Sequence, residues 1–461
     1  MEWGRIFFLS GFSWNQAGMA LAANTYSLQF ASVIGSFGLS FWIIFVNLLL
    51  LRAWLQLRLT STALWLVLAL FPYLFGYVHL QYQQEKLENT DLAFTALLVQ
   101  PSFPVEAEIP LEDRKEMVGF VTGQWKKMLE LIVSHRGKSI DLIALPEYVV
   151  PFGTYTPVFP YNDVKTVFRD VFGEASLVHL APLEEHLAIN KITRKCSVWL
   201  VSNAFWLQSI ANVFNAPVIA GLADVDEKDE NEWDYYSSAQ YFTPSYTENE
   251  ERASAIPIRY NKRVLVPLGE YIPFSFCRQL AAAYGIQGSF MCGKEAKVCD
   301  HSKAPFGVSI CYEETFGNII RENKKLGAKL LVNLTSDAWF PRSRLAEQHL
   351  NQAQMRCVEG GLPAVRSCNT GVTAGIDSFG RVISSLAESD ENQEPIKDSL
   401  LVKVPIYNYD TIYSKHGDAP VISFSIIAIL IGLQGFRKKE YNVENEKVKE
   451  QADMTKKRNR I

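Results

Sequence analysis

A cysteine at the end of an apolar run is the most reactive candidate in this sequence. Cys311 follows "GVSI", and Tyr312, Glu313 and Glu314 come directly after it. A cysteine reacts as its thiolate, and nearby negative charge raises the pKa of a thiol. An isolated buried cysteine is most often an inert core residue. If Cys311 is a nucleophile, a base and a fixed cation must therefore come from elsewhere in the chain.

Two further apolar runs carry side chains that could supply those groups. Glu147 follows "IALP", where the proline stops strand pairing and fixes the direction in which the chain leaves. Lys262 lies in "RYNKRVLVPLGEY". Alone, each would be interpreted as a solvated surface charge. Together, Glu147 as base, Lys262 as cation and Cys311 as nucleophile suit acyl transfer through a thioester. Lys262 and the backbone N–H of Tyr312 could both stabilise the oxyanion of a tetrahedral intermediate.

The segments around these residues predict an α/β layered domain, because short apolar runs alternate with amphipathic stretches from about residue 91. Strands are predicted at residues 92–101, 140–148, 196–205, 307–313, 328–337 and 362–377. Apolar residues at helical spacing predict a helix between the first two strands and another over residues 344–360. Such folds place their chemistry at strand ends, where the three candidate residues are expected to lie.

Three uncharged stretches are long enough to cross a bilayer, which takes ~20 apolar residues. Two precede the α/β domain, with spans predicted over residues 26–51 and 60–81, and a third, residues 419–436, follows it. The alternative is a buried core helix, which is usual for runs of about 10–14 residues. We therefore predict an integral membrane protein. The net charge of -4 gives no basic surplus that would indicate a nucleic-acid partner.

Positive charges predict the orientation of this protein in the membrane. Arg52 and Arg58 lie between the first two spans, and the "RKK" at 437–439 follows the third. The positive-inside rule places both groups in the cytoplasm. Residues 91–410 then face the periplasm from the inner membrane of a bacterium.

The same topology bears on both ends of the chain. It places Met1 outside, so residues 1–82 are expected to be a partial N-terminal membrane domain with further helices upstream. Residues 437–461 form a cytoplasmic tail whose mixed charge and few apolar residues predict disorder.

The cysteines predict a free thiol rather than a metal site. There are seven, so at least one is unpaired in a compartment that oxidises thiols. None of the spacings is C-x2-C, and the pair Cys292 and Cys299 has no histidine pattern behind it. We therefore predict no metal and no cofactor.

These motifs resemble the nitrilase superfamily and, within it, the membrane-anchored apolipoprotein N-acyltransferases. The resemblance is carried by "LPEY", "YNKRVLVPLGEY", "ICYE", "NLTSDAWF", "RSCNTGVTAGIDSFG" and, near the start, "GFSWNQAG". General nitrilases share the triad but lack membrane spans, so the combination is more specific than either part. The resemblance implies an α-β-β-α sandwich over residues 91–410, with transmembrane helices before and after it.

The resemblance also implies roles for individual residues. Glu147 would be the general base, Lys262 the oxyanion-stabilising lysine and Cys311 the nucleophile. Glu270 matches a second glutamate that supports the lysine.

Four further positions match the family pattern outside the triad. Tyr312 and Glu313 match the two positions after the nucleophile. Trp339 and Phe340 match an aromatic loop at a lipid-facing mouth. Pro341 stands where family members usually have glycine.

The implied activity is acyl transfer in two steps. An acyl chain passes from a phospholipid, usually phosphatidylethanolamine, to Cys311, and then to the α-amino group of the diacylglyceryl-cysteine that begins a lipoprotein. The implied partners are this donor, this acceptor and the membrane, and the expected state is a monomer. Two alternatives stay open: a membrane-anchored amidase of nitrilase type, and an inactive membrane-tethered scaffold.

Overall fold

The computed structural model describes residues 1–104, 113–192, 197–229, 232–247, 250–251, 257–274, 290–339, 343–390, 392 and 394–458. The helices are α1 (Glu2–Arg5), α2 (Thr25–Leu28), α3 (Ala31–Gln56), α4 (Leu59–Glu88), α5 (Arg114–Ile132), α6 (Tyr161–Phe172), α7 (Asn203–Phe214), α8 (Gly317–Lys325), α9 (Leu345–Gly360), α10 (Ile412–His416) and α11 (Ala419–Arg458). Short 3-10 turns cover Ala17–Leu21, Val133–His135, Glu174–His179 and Cys311–Thr315.

The strands are β1 (Ala93–Gln100), β2 (Leu142–Leu145), β3 (Phe159–Pro160), β4 (Ala188–Ile192), β5 (Ser197–Val201), β6 (Val218–Asp229), β7 (Glu232–Phe242), β8 (Tyr246–Thr247), β9 (Glu250–Glu251), β10 (Ile258–Asn261), β11 (Val298–Cys299), β12 (Phe306–Ile310), β13 (Leu330–Thr335), β14 (Ala364–Cys368), β15 (Thr373–Ile376), β16 (Val382–Leu386) and β17 (Asp398–Pro405).

Two six-stranded sheets form the centre of the α/β domain. One has the order β10-β7-β6-β2-β1-β17 and the other β11-β12-β13-β14-β15-β16. Apolar side chains of the two sheets share one buried cluster, which includes Phe94 and Leu98 of β1 and Val308 and Val332 of the second sheet. Every residue of β2, β12 and β13 is buried, as expected for strands that are covered on both faces.

Helices cover the outer side of each sheet. Trp125 of α5 and Trp206 of α7 join the cluster on the first sheet, with their rings stacked and their centroids 5.3 Å apart. Ile320 of α8 and Ala353 of α9 cover the second sheet. The layers are thus helix, sheet, sheet and helix, and the predicted α-β-β-α sandwich is confirmed.

Three of the predicted strands differ from the observed elements. The strand predicted at 307–313 ends at Ile310, where a 3-10 turn begins. The stretch at 196–205 was predicted as one strand, but β5 ends at Val201 and α7 begins at Asn203. Nearly all of α7 is buried, so its sequence is apolar all round and lacks the polar stripe of a surface helix. The stretch at 362–377 is two antiparallel strands, β14 and β15, because the chain turns at Gly371 with φ 109°.

Helices α3 and α4, of 26 and 30 residues, are long and apolar enough to cross a membrane. They overlap the predicted spans, although α3 starts later than predicted because the separate helix α2 precedes it. In α11, Ala419–Gly435 is a shorter apolar segment, at the position predicted for the third span. The prediction of a disordered tail is wrong, since α11 continues to Arg458. Residues 437–458 contain no glycine or proline and many lysines and glutamates, which favour helix.

A break inside α3 joins it to the α/β domain. Gly35 has φ 65° and ψ 179°, and a Cβ atom there would collide with the ring of Tyr413. The break frees the backbone N–H of Ser36, which donates to Glu359 Oε1 at 2.7 Å. Glu359 Oε2 lies 3.2 Å from Arg356 Nη1, so a buried carboxylate ties α3 to α9.

We predict that Glu359 makes stability depend on pH. Burial raises the pKa of this carboxyl from 4.5 to about 7, although Arg356 opposes the rise. Between these values the folded protein holds a proton that the unfolded chain releases, so the free energy of unfolding falls as pH rises through this window. At ~1.4 kcal/mol per pKa unit, the change is about 3 kcal/mol.

The Glu359→Gln variant should lack this part of the pH dependence, because glutamine does not titrate. Thermal unfolding in detergent, followed from below to above the window, measures the difference between the two proteins. An unchanged slope in the variant would show that Glu359 is not the titrating group.

Candidate active site

The topology brings the ends of three strands together. Within the first sheet β10, β6 and β2 run in the same direction, because β6 pairs parallel with β2 and antiparallel with β7, which pairs antiparallel with β10. Lys262 follows β10 and Glu147 follows β2 one residue after Pro146, so both leave the same edge of the sheet. Cys311 follows β12 of the facing sheet.

Lys262 lies between two carboxylates. Its Nζ is 2.9 Å from Glu147 Oε1 and 2.7 Å from Glu270 Oε1, and the three side chains are 1%, 6% and 13% exposed. Glu270 is itself held by the backbone N–H of Val266, which donates to its second oxygen at 2.8 Å. The structure therefore places Glu270 where the sequence predicted support for the lysine.

Electrostatics keeps this lysine charged. Burial alone would lower the pKa of Lys262, but the Glu147 and Glu270 carboxylates hold it well above its ordinary value. Burial raises the pKa of Glu147, and Glu270 adds to the rise while Lys262 opposes it. The result is a fixed ammonium next to a carboxylate that can accept a proton.

Cys311 is partly buried and contacts the core between the sheets. Its backbone has φ 48°, a left-handed conformation that non-glycine residues rarely adopt, and it opens a 3-10 turn. Burial and the negative charge of Glu147 raise the pKa of the thiol well above its ordinary value, while Lys262 opposes the rise. The group at rest is a thiol, so a nucleophilic role requires a base.

Glu313 accepts four hydrogen bonds and links two parts of the site. Its Oε2 accepts from Tyr260 Oη at 2.7 Å and from the N–H of Ile310 at 2.8 Å. Its Oε1 accepts from the N–H groups of Arg263 at 2.5 Å and Val264 at 3.2 Å. The carboxylate thus ties the chain after Lys262 to the turn that carries Cys311.

Glu314 had no predicted role, and its partners were not identifiable from sequence. Glu314 Oε2 lies 3.0 Å from Arg366 Nε and 3.4 Å from His349 Nε2, and all three side chains are buried. His349 Nδ1 lies 2.9 Å from Asp337 Oδ1. A buried glutamate does signal the need for a cation. His349 lies on α9 and Arg366 on β14, and their positions in the sequence do not reveal that they contact Glu314.

The segment at residues 11–14 packs on the 3-10 turn that begins with Cys311. Tyr312 Oη donates to the carbonyl of Gly11 at 3.0 Å, and Ser13 Oγ hydrogen-bonds Thr315 Oγ1. The indole of Trp14 stacks on the ring of Tyr312 with centroids 6.0 Å apart. Tyr312 therefore contributes a contact with the "GFSW" segment, beside the backbone role predicted for it.

The predicted aromatic mouth is only partly described. Trp339 is 62% exposed, two residues beyond Asp337. Phe340 and Pro341 lie outside the described residues. The structure does not bring Trp339 into the ion-paired group, and its contact with lipid stays a prediction.

Two glycines permit close approach around the triad. A Cβ atom on Gly221 of β6 would lie 2.5 Å from Glu147 Cα. Gly293 packs against the carbonyl of Asn261, and its N–H donates to the carbonyl of Lys262 at 2.7 Å. Only the absence of side chains lets these backbones reach the two charged residues.

Comparisons with known proteins show the family to which this chain belongs. The Carbon-nitrogen hydrolase profile matches residues 120–397, and that of the Apolipoprotein N-acyltransferase N-terminal domain matches residues 1–49. Apolipoprotein N-acyltransferase of Chlamydia caviae is 34% identical over 439 residues, covering 93% of this chain and 73% of the relative. That of Chlamydia trachomatis is 31% identical over 441 residues, covering 94% and 73%. The crystal structure of Saccharomyces cerevisiae Nit3, a nitrilase-superfamily member, has a TM-score of 0.40 and 14% identity, covering 72% of this chain and 96% of that chain.

We predict that Gly221→Ala slows the reaction of Cys311 with iodoacetamide. The new methyl group would push the backbone of Glu147 away from its present position. General-base catalysis contributes ~10²–10⁴-fold when the base is well placed, so we expect a loss of at least ~10-fold. Mass spectrometry of the Cys311 peptide measures the rate.

Gly119→Ala is the matched control, because this exposed position in α5 has open space around it. It should leave the rate unchanged, and the helix should gain up to ~1 kcal/mol. If Gly221→Ala reacts as fast as this control, the placement of Glu147 does not limit the reactivity of Cys311.

Proposed function

We propose that this chain, which belongs to the apolipoprotein N-acyltransferase family, N-acylates lipoproteins through a thioester on Cys311. Family membership rests on the 34% identity over 93% of the chain. The observation that carries the mechanism is the buried contact of Lys262 with Glu147 at 2.9 Å, next to the thiol of Cys311. This is a base, a fixed cation and a nucleophile in one place, in a chain with two helices apolar enough to span a membrane.

The first half-reaction loads the enzyme. Glu147 takes the thiol proton as Cys311 Sγ attacks an ester carbonyl of a phospholipid, and Lys262 stabilises the oxyanion. The tetrahedral intermediate then breaks its C–O bond, and Glu147 returns the proton to the leaving alkoxide. The products are a lysophospholipid and a thioester. Because the pKa of the thiol is raised in the resting site, proton removal has to accompany attack.

The second half-reaction transfers the acyl chain. The free α-amino group of a diacylglyceryl-cysteine attacks the thioester carbonyl, and the C–S bond breaks to regenerate the cysteine. Glu147 takes the proton from the amine and passes it to the departing sulfur. Lys262 stabilises the same oxyanion position in both steps, so one preorganised charge lowers the activation barrier of each.

A membrane setting suits both substrates. Helices α3 and α4 tether the site, and confinement at a surface raises the effective concentration of lipid donor and lipid acceptor. We place the α/β domain on the periplasmic face of the inner membrane of a bacterium, as the positive charges around the spans indicate. Phosphatidylethanolamine is the donor that we assign, and the expected state is a monomer.

We predict that Cys311→Ala abolishes both half-reactions. The protein is incubated with labelled phosphatidylethanolamine in detergent micelles, and a hydroxylamine-labile acyl adduct on Cys311 is sought by mass spectrometry. A synthetic diacylglyceryl lipopeptide is then added, and its N-acylated product is measured. Adduct and product should both be absent in the variant, because Cys311 supplies the sulfur of the thioester.

Cys299→Ala is the matched control, since Cys299 is a buried thiol at the edge of the second sheet and should leave both half-reactions intact. N-acylation that persists in Cys311→Ala would refute the mechanism. An adduct that passes only to water would indicate the amidase. Failure of the unaltered protein to form any adduct would favour the scaffold.

A further inference from the structure

His349 is a buried histidine next to the 3-10 turn Cys311–Thr315. It lies in the second turn of α9, and its side chain is 1% exposed. Its Nδ1 lies 2.9 Å from Asp337 Oδ1. Its Nε2 lies 3.2 Å from the carbonyl oxygen of Cys311 and 3.4 Å from Glu314 Oε2.

Both ring nitrogens therefore face groups that only accept. A carbonyl and an ionised carboxylate have no proton to give, so each nitrogen must carry one to make its contact. A neutral ring would turn a lone pair toward Asp337 or toward Cys311. The ring that satisfies both sides is the imidazolium, with two donors and one positive charge.

Charge balance leads to the same protonation state. The two carboxyl groups of this buried cluster belong to Asp337 and Glu314, and Glu314 pairs with Arg366. Burial raises the pKa of Glu314, while Arg366 and His349 oppose the rise. The indole of Trp14 meets the imidazole edge-on at 5.5 Å and adds no charge. With His349 as a cation the cluster is neutral, and buried charges are tolerated only when they are compensated.

The carbonyl that His349 contacts belongs to a peptide group whose other polar end is the N–H of Tyr312. The chain has no cis peptide among its described residues, so the N–H of Tyr312 points away from the Cys311 carbonyl in the same plane. Tyr312 is in the first turn of the 3-10 segment, where N–H groups lack an intrahelical acceptor. Asn333 Nδ2 also approaches this carbonyl, at 3.4 Å.

We infer that His349 is a positioning residue that holds the Cys311–Tyr312 peptide group so that the Tyr312 N–H donates to the oxyanion. The inference rests on the proposed function and deepens it. A donor on the carbonyl fixes the plane of the peptide and the left-handed backbone of Cys311. It also polarises the group, which strengthens the N–H as a donor at its other end.

The test compares His349→Ala with His349→Gln in the acyl-enzyme assay with phosphatidylethanolamine micelles. His349→Ala should lower the maximal rate of adduct formation ~10–10²-fold, somewhat less than outright loss of an oxyanion donor. The donor concentration for half-maximal rate should not change, because His349 touches no substrate. Glutamine can place its side-chain N–H near the carbonyl, so His349→Gln should recover a substantial part of the rate.

Ala353→Gly is the matched stability control. Ala353 lies one turn further along α9, is buried, and its replacement should cost roughly 1 kcal/mol through helix propensity alone. Three results would overturn the inference: no recovery in His349→Gln, a loss confined to the half-maximal concentration, or an equal loss in Ala353→Gly at equal thermal stability.

The protonation state is tested without turnover. Nitrogen-15 NMR of protein labelled at its histidine rings, with the His349 signals assigned by their absence in His349→Gln, should show a proton on both nitrogens in the folded protein. A nitrogen without a proton would overturn the imidazolium. If the unaltered protein forms no adduct, the proposed function fails, and this measurement still decides the contact that His349 makes.

Discussion

The charge of Lys262 determines how the rest of the site is arranged. A buried ammonium requires compensation, and here Glu147 and Glu270 provide it at 2.9 and 2.7 Å. Two carboxylates for one cation leave negative charge in excess, and that excess opposes the formation of a thiolate on Cys311. The site therefore holds its proton until a substrate carbonyl is present to receive the sulfur. This avoids a permanently ionised cysteine, the form of the residue that is oxidised most readily.

The fold meets this requirement by distributing the charged groups over strand ends. No single strand carries two members of the triad, so the distances depend on how the two sheets pack. Apolar contacts between the sheets, such as those of Leu98 and Val332, thereby fix the distances between polar atoms that lie far from them in sequence. Glu313 adds a direct tie, since it joins the β10 end of one sheet to the β12 end of the other.

Much of the candidate site was predictable from sequence, for reasons that particular residues show. Glu147 and Cys311 each follow an apolar run, and a buried strand with a polar residue at its end is recognisable without a structure. Lys262 was found through the apolar residues that flank "NKR". Glu270 was found through its motif. His349 and Arg366 were not, because a histidine inside a helix and an arginine inside a strand resemble surface residues until their burial is known. The boundary between β5 and α7 was misplaced because an all-round apolar stretch fits a buried strand and a buried helix equally well.

The contacts of residues 11–14 extend the site beyond the α/β domain. Gly11 and Ser13 hydrogen-bond to the turn that carries Cys311, and Trp14 lies against both Tyr312 and His349. About eighty residues of mostly apolar helix separate this segment from β1. The N-terminal helical part and the α/β domain are consequently not independent modules that could be exchanged separately. A chimaera that joins this α/β domain to a foreign anchor at residue 91 would omit one wall of its own reaction centre.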